Sequence, residues 1–158
     1  MNKVYQYTTQ KSMFGITIPT ILAALVFLVM IYEVVTNKAT STNVPIAVLA
    51  LIIFLDHYLA LSHPEKVKTT GQSIEFSCFG RSHHYTFDDI RRINIRKTAF
   101  SKSIYVRING AGLLKGRYWL QIEQLSQGTE LQVFLENLVE LKHPMMKNFK
   151  QRSFIKTK

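Results

Sequence analysis

Only one cysteine, Cys78, occurs among the 158 residues, which excludes an intramolecular disulfide and a multi-cysteine metal cage. Acid is scarce too: ten Asp and Glu stand against twenty Lys and Arg, giving a formal net charge of +10. That imbalance points to an acidic partner surface, for which both nucleic acid and anionic lipid qualify. No Gly-rich phosphate loop, nucleophile elbow or His-x-x-x-His zinc motif is present. The cluster Gly110-Ala-Gly112 precedes a strand pattern rather than a helix, so it is no dinucleotide fingerprint. With 47% hydrophobic and 19% charged residues, the chain is not intrinsically disordered. Its length allows one or at most two small domains.

What is present is unevenly spread. No residue from Ser12 to Tyr32 is charged, and Phe14 to Ile31 is almost wholly apolar. About 20 such residues cross the roughly 30 Å hydrocarbon core of a bilayer as a helix. A cleaved signal peptide fits less well, because the run is long and Glu33 to Asn43 offers no convincing small-x-small cleavage site. A second run starts at Val44, passes Asp56-His57 and stops at His63-Pro64. Pro45 suits a first helical turn and Asn43 its cap. The short link Asn37 to Asn43 forces the two helices to be antiparallel neighbours.

The sequence therefore predicts an N-terminal arm over 1–13 and a transmembrane hairpin over 14–62, with helices at about 14–35 and 44–62. Lys3 and Lys11 precede the hairpin and Lys66 and Lys68 follow it, whereas its loop holds only Lys38. The positive-inside rule then predicts a multi-pass protein of the cell membrane with both termini cytoplasmic.

After Pro64 the periodicity changes to two-residue alternation. Ile74, Phe76 and Cys78 share one face; so do Ile93 and Ile95, then Ile104, Val106 and Ile108, then Tyr118, Leu120 and Ile122. Thr129 with Gln132 reads as a capping box. Leu131, Phe134, Leu135, Leu138 and Leu141 then recur at helical spacing, with Pro144 as a stop. The predicted fold class is an α+β membrane protein: the hairpin, a small antiparallel β domain over 64–143 closed by a C-terminal amphipathic helix, and a basic tail over 144–158.

This order resembles the membrane-anchored pleckstrin-homology-like (PH-like) domain proteins of bacteria. The residues that carry the likeness are Val67-Lys-Thr-Thr-Gly-Gln-Ser-Ile-Glu-Phe76, Tyr85-Thr-Phe-Asp-Asp-Ile-Arg-Arg-Ile93 and the final helix. The form is similar to the two-helix Firmicute proteins of the YdbS type and, more loosely, to the EbsA-like ones. One departure is Phe87, which stands near the place where this family often has a proline. The resemblance implies a domain carried directly after two membrane helices, and it allows a role in envelope maintenance or in immunity to a membrane-active peptide.

The residues with chemical potential are few. His83 and His84 are adjacent on a predicted strand and point to opposite faces. Even with Cys78 they make a poor zinc site, so no metal and no cofactor is expected. Asp88-Asp89 reads as a turn before a strand, not a general acid and base. Asp56 and His57 admit two readings: the helix ends near Leu55 and both lie at the headgroups, or the hydrocarbon region reaches Leu61 and Asp56 meets a partner helix. Arg92, Arg96, Arg107 and Arg117 fall on outward strand positions. Lys147, Lys150, Arg152, Lys156 and Lys158 are interleaved with Phe149, Phe154 and Ile155. That tail is either a surface anchor on anionic lipid or a solvated segment.

The expected function is thus a non-catalytic, membrane-anchored adaptor. Its partners would be the anionic lipid surface and a membrane protein or a second copy of the chain, with no nucleic acid. The alternative is an accessory or pore-forming subunit of a membrane transport assembly, which requires an oligomer with Asp56 facing its interior.

Overall fold

The computed structural model describes residues 2–36, 38, 40–98 and 103–143. Seven strands form two open antiparallel sheets among these residues: β1 (Lys3–Gln6), β2 (Lys66–Thr69), β3 (Ser73–Cys78) and β4 (Arg81–Thr86) in one, β5 (Ile93–Lys97), β6 (Ser103–Ile108) and β7 (Arg117–Gln121) in the other. Each sheet runs in chain order. Two apolar helices, α1 (Thr9–Val35) and α2 (Asn43–Leu59), stand between β1 and β2, and α3 (Gly128–Lys142) closes the chain.

The alternation seen in the sequence becomes one core. Val67, Ile74, Phe76, Ile93, Ile104, Val106, Ile108, Tyr118 and Leu120 are buried between the sheets, and Leu131, Leu135 and Leu138 of α3 cover them. Tyr118 stacks on Phe76 at 3.9 Å between ring centroids. Phe79 and Gly80 both have positive φ, 52° and 71°, which gives the tight β3–β4 turn the handedness that strand twist favours.

The N-terminal arm is not a free segment. Residues Lys3 to Gln6 pair with Thr69 to Lys66, and Tyr5 is 1% exposed within the core. Beyond the strand, the Tyr7 N–H donates to Glu65 O at 3.2 Å. The hairpin is therefore an insertion between two paired strands, and the chain enters and leaves it at one place on one sheet.

The hairpin itself is antiparallel. Thr20 near the base of α1 meets His57 near the end of α2, and Asn43 at the start of α2 donates to Glu33. Buried Ala23, Ala47 and Ala50 let the helices approach closely. The outward residues are apolar on all sides, including Phe14, Ile18, Leu22, Leu25, Leu28, Val48, Leu49 and Ile52. Near the tip, Thr40 bonds Thr42 at 2.9 Å and also reaches Asn43, so these polar groups satisfy one another. Pro19 lacks the N–H that would bond Gly15. Just before it, Met13–Thr17 widens to π geometry and the Ile18 N–H bonds Met13 O.

Two corrections to the sequence expectation follow. The first concerns topology. Among the described residues only α1, with 27 residues, is long and apolar enough to cross a bilayer, because α2 ends at Leu59. This overturns the multi-pass localisation with two crossing helices and cytoplasmic termini. Residues 60–62 look apolar enough in sequence to extend the second span, but Ala60, Leu61 and Ser62 are buried at the base of the hairpin instead. Leu61 adopts φ 50° and packs with Ile16 and Cys78.

The second concerns the start of α3. The predicted Thr129 capping box does not form: the helix begins at Gly128, after Gln127 in left-handed conformation, with no side-chain cap. Close packing requires glycine here, since a Cβ on Gly128 would lie 1.9 Å from Ile122 O. Gly128→Ala is expected to cost about 2 kcal/mol or more, as overpacking against rigid backbone does, and denaturant unfolding measures it.

Candidate functional site

Two places gather polar side chains. The first is a cleft of about 530 Å³ lined by Arg91, Arg92, Asn94, Arg96, Arg107, Asn109 and Gly110. Alternation on β5 and β6 sends Ile93, Ile95, Val106 and Ile108 inward, so Asn94, Arg96 and Arg107 share the opposite face. Arg107 stands directly across from both Asn94 and Arg117.

Asn109 builds the end of this cleft. Its Oδ1 accepts the Arg91 and Arg92 N–H groups at 2.8 and 3.2 Å, and its Nδ2 donates to Asp89 O at 2.9 Å. Asn109 holds φ 56°, a left-handed conformation that asparagine tolerates better than most residues. No acid lines the cleft among the described residues. Four arginines line one opening, and a guanidinium can offer two parallel N–H donors to carboxylate or phosphate oxygens.

Beside the cleft, the Tyr105 and Trp119 rings pack at 4.6 Å between centroids, tilted by 39°, on the same sheet face. Arg117 is placed differently from the other predicted arginines. It turns toward the β6–β7 loop, its Nη2 reaching Ala111 O at 3.4 Å.

The second place is the joint between hairpin and sheets. Leu55–Leu59 has π geometry, and the chain then bends back so that the Ser62 N–H reaches Asp56 O at 3.2 Å. Ser62 Oγ donates to Asp56 Oδ1 at 2.7 Å. His57 Nδ1 lies 3.1 Å from Thr20 Oγ1, and the His57 and His63 rings are 4.7 Å apart. Ser62 O accepts the Trp119 N–H of β7 at 2.7 Å, fixing the joint to the second sheet. Burial pushes the His63 imidazole down to about 4; nearby His57 adds to the shift and Asp56 opposes it.

Asp56 and His57 thus lie within the last turn of α2, half-buried and facing the joint. His63, Arg91 and Asn109 are functional candidates that the sequence reading missed. His63 looked like a helix stop beside Pro64, and Asn109 like a turn residue; a polar residue at a forced left-handed position is the one available signal for the latter.

The remaining candidates have structural roles. His83 Nδ1 bonds Tyr118 OH at 2.8 Å, and Tyr118 OH bonds Tyr85 OH at 2.7 Å. Burial, then Lys115 and Arg81, lower the His83 basicity. Asp89 accepts from Thr86 Oγ1 at 2.5 Å across its turn. Lys147, Lys150, Arg152, Lys156 and Lys158 lie outside the described residues.

Cys78 is 3% exposed and burial pushes its thiol up to about 11. The thiolate fraction at pH 8 is then about one in a thousand, and the thiolate is the reactive form. Cys78 is expected to resist a thiol reagent in the native protein and to react fully after unfolding, as a colorimetric thiol assay would show.

Comparison with protein-family models, with curated proteins and with solved structures finds no match for this chain.

Proposed function

We propose that this protein is a non-catalytic, membrane-anchored adaptor of PH-like type. The long apolar helix α1 anchors the chain in the membrane, and the arginine cleft receives an acidic segment of a membrane-protein partner. The observation that carries this reading is the inserted hairpin, apolar around its whole circumference and held at both ends by the β1–β2 pairing. A helix of 27 residues that is apolar all round, as α1 is, is at home in hydrocarbon. Two antiparallel sheets covered by a C-terminal helix support the PH-like assignment. The adaptor reading is further supported by the structural use of the residues with chemical potential, His83, Cys78 and Asp89.

The partner reading rests on charge. An acidic segment laid in the cleft would relieve the repulsion among Arg91, Arg92, Arg96 and Arg107, and each paired guanidinium can offer two parallel N–H donors. The test is photocrosslinking in membranes from Tyr105, at the rim of the cleft. A crosslinked membrane protein is expected, and the double reversal Arg96→Glu/Arg107→Glu is expected to lower its yield at least tenfold. Undiminished crosslinking in that variant would refute the cleft as the partner site. Full-length protein that is monomeric in buffer without detergent would refute the anchor.

A further inference from the structure

We propose that Asp56, His57 and His63 form a binding site for a divalent transition-metal ion of the zinc class, which ties the hairpin to the sheets. One ligand atom from each residue lies within 4.8 Å of the other two, and all three residues are half-buried. Donors around a tetrahedral zinc ion stand about 3.3 Å apart, given ligand bonds near 2.0–2.1 Å. Small side-chain rotations therefore close the set. Two imidazoles and one carboxylate suit zinc and its neighbours rather than magnesium or calcium, which prefer oxygen.

Outer contacts orient two of the ligands. Thr20 Oγ1 lies 2.7 Å from Ile16 O and 3.1 Å from His57 Nδ1. With the hydroxyl donating to Ile16 O, Thr20 accepts from a protonated Nδ1, and Nε2 then carries the free lone pair that metal-binding histidines commonly offer. Ser62 Oγ donates to Asp56 Oδ1, which holds the carboxylate and leaves Oδ2 available. His63 also borders a small cavity of about 40 Å³ with Tyr7, Trp119 and Gln121, large enough for one water.

The site's position gives the ion a mechanical role. Asp56 and His57 belong to α2, whereas His63 follows the residue whose carbonyl accepts from β7. A bound ion would fix the angle at which the hairpin leaves the sheets, whatever the arginine cleft binds.

The experiment uses the untagged full chain in detergent micelles, stripped with EDTA and titrated with zinc by calorimetry and with cobalt by visible absorption. The expected result is one ion per chain with micromolar or tighter affinity, a cobalt spectrum typical of four or five ligands, and a higher melting temperature with zinc. His57→Gln and His63→Gln are each expected to weaken binding at least a hundredfold. Thr20→Val, which keeps the side-chain shape, is expected to weaken it about tenfold, and His83→Gln/His84→Gln to leave it unchanged. Folded wild-type protein that binds no zinc at 100 µM would overturn the proposal. So would undiminished binding in a folded His57→Gln/His63→Gln variant, or binding that is lost with His83 and His84.

Discussion

Replacing residues 9–60 by five Gly and Ser residues is expected to turn a detergent-requiring protein into a soluble, folded β module. The strand register makes this possible. Gln6 pairs with Lys66 and Tyr7 bonds Glu65, so the sheet is complete without the helices. Leu61 packs against Ile16, two turns into α1, which places the two cut ends on the order of 10 Å apart. A five-residue linker reaches about 17 Å.

The main core loses nothing in that replacement, because no residue of α1 or α2 belongs to it. The small cluster around Cys78 loses Ile16, at a cost of about 1–2 kcal/mol for one buried aliphatic contact. Cys78→Ser would remove the thiol uncovered there. Solubility without detergent, with β-rich circular dichroism and a cooperative melt, is the expected outcome. An unfolded or aggregated module would mean that the helices are part of the folding core, against the structure described above.

The arm supplies the second large effect. Tyr5→Ala removes a fully buried ring from the end strand of the first sheet, and large-to-small changes of this kind cost roughly 3–5 kcal/mol. For a domain of this size, each kcal/mol lowers the melting temperature by about 4–8 °C. A drop of at least about 12 °C is therefore expected. Val4→Ala serves as the comparison: Val4 lies on the other face of the same strand, 45% exposed, and its loss is expected to cost under about 1 kcal/mol. Equal, small effects at both positions would show that the arm is loose.

Much of this architecture was legible in the sequence because local pattern dictates it. The alternation from Ile74 to Ile122 gave five strands, and the spacing of Leu131, Leu135 and Leu138 gave the covering face of α3. The two apolar runs gave the hairpin helices. What escaped depended on contacts between distant residues. Lys3-Val-Tyr-Gln is too short and too polar to announce a strand, and its partners lie sixty or more residues along the chain. Gly128 replaced a capping box because the 3₁₀ turn Ile122–Gln124 passes so close that no side chain fits.

The same holds for the candidate sites. The outward positions of Arg92, Arg96 and Arg107 followed from alternation alone. Their gathering with Arg91 around a cleft depends on Asn109, seventeen residues away from Arg92 and bonded to its N–H. His63 joined Asp56 and His57 only because the chain folds back after Leu59. A hydropathy pattern shows where apolar residues end in sequence, not which of them turn inward at a joint. That is why the second run was read as a membrane span although its helix ends at Leu59 and is too short for one.

Pairing of the arm with the strand that follows the hairpin is the feature on which anchor and adaptor both depend. It is tested most directly by oxidising a Val4→Cys/Lys68→Cys variant in native membranes. These residues are register partners on the outer face, where side chains of opposed residues stand about 5 Å apart at Cβ. Rapid, near-complete disulfide formation within one chain is the predicted result, with none in a Val4→Cys/Glu75→Cys control one strand further on. Failure of the Val4–Lys68 pair to crosslink, with both thiols open to a water-soluble reagent, would contradict a hairpin that begins and ends on one sheet.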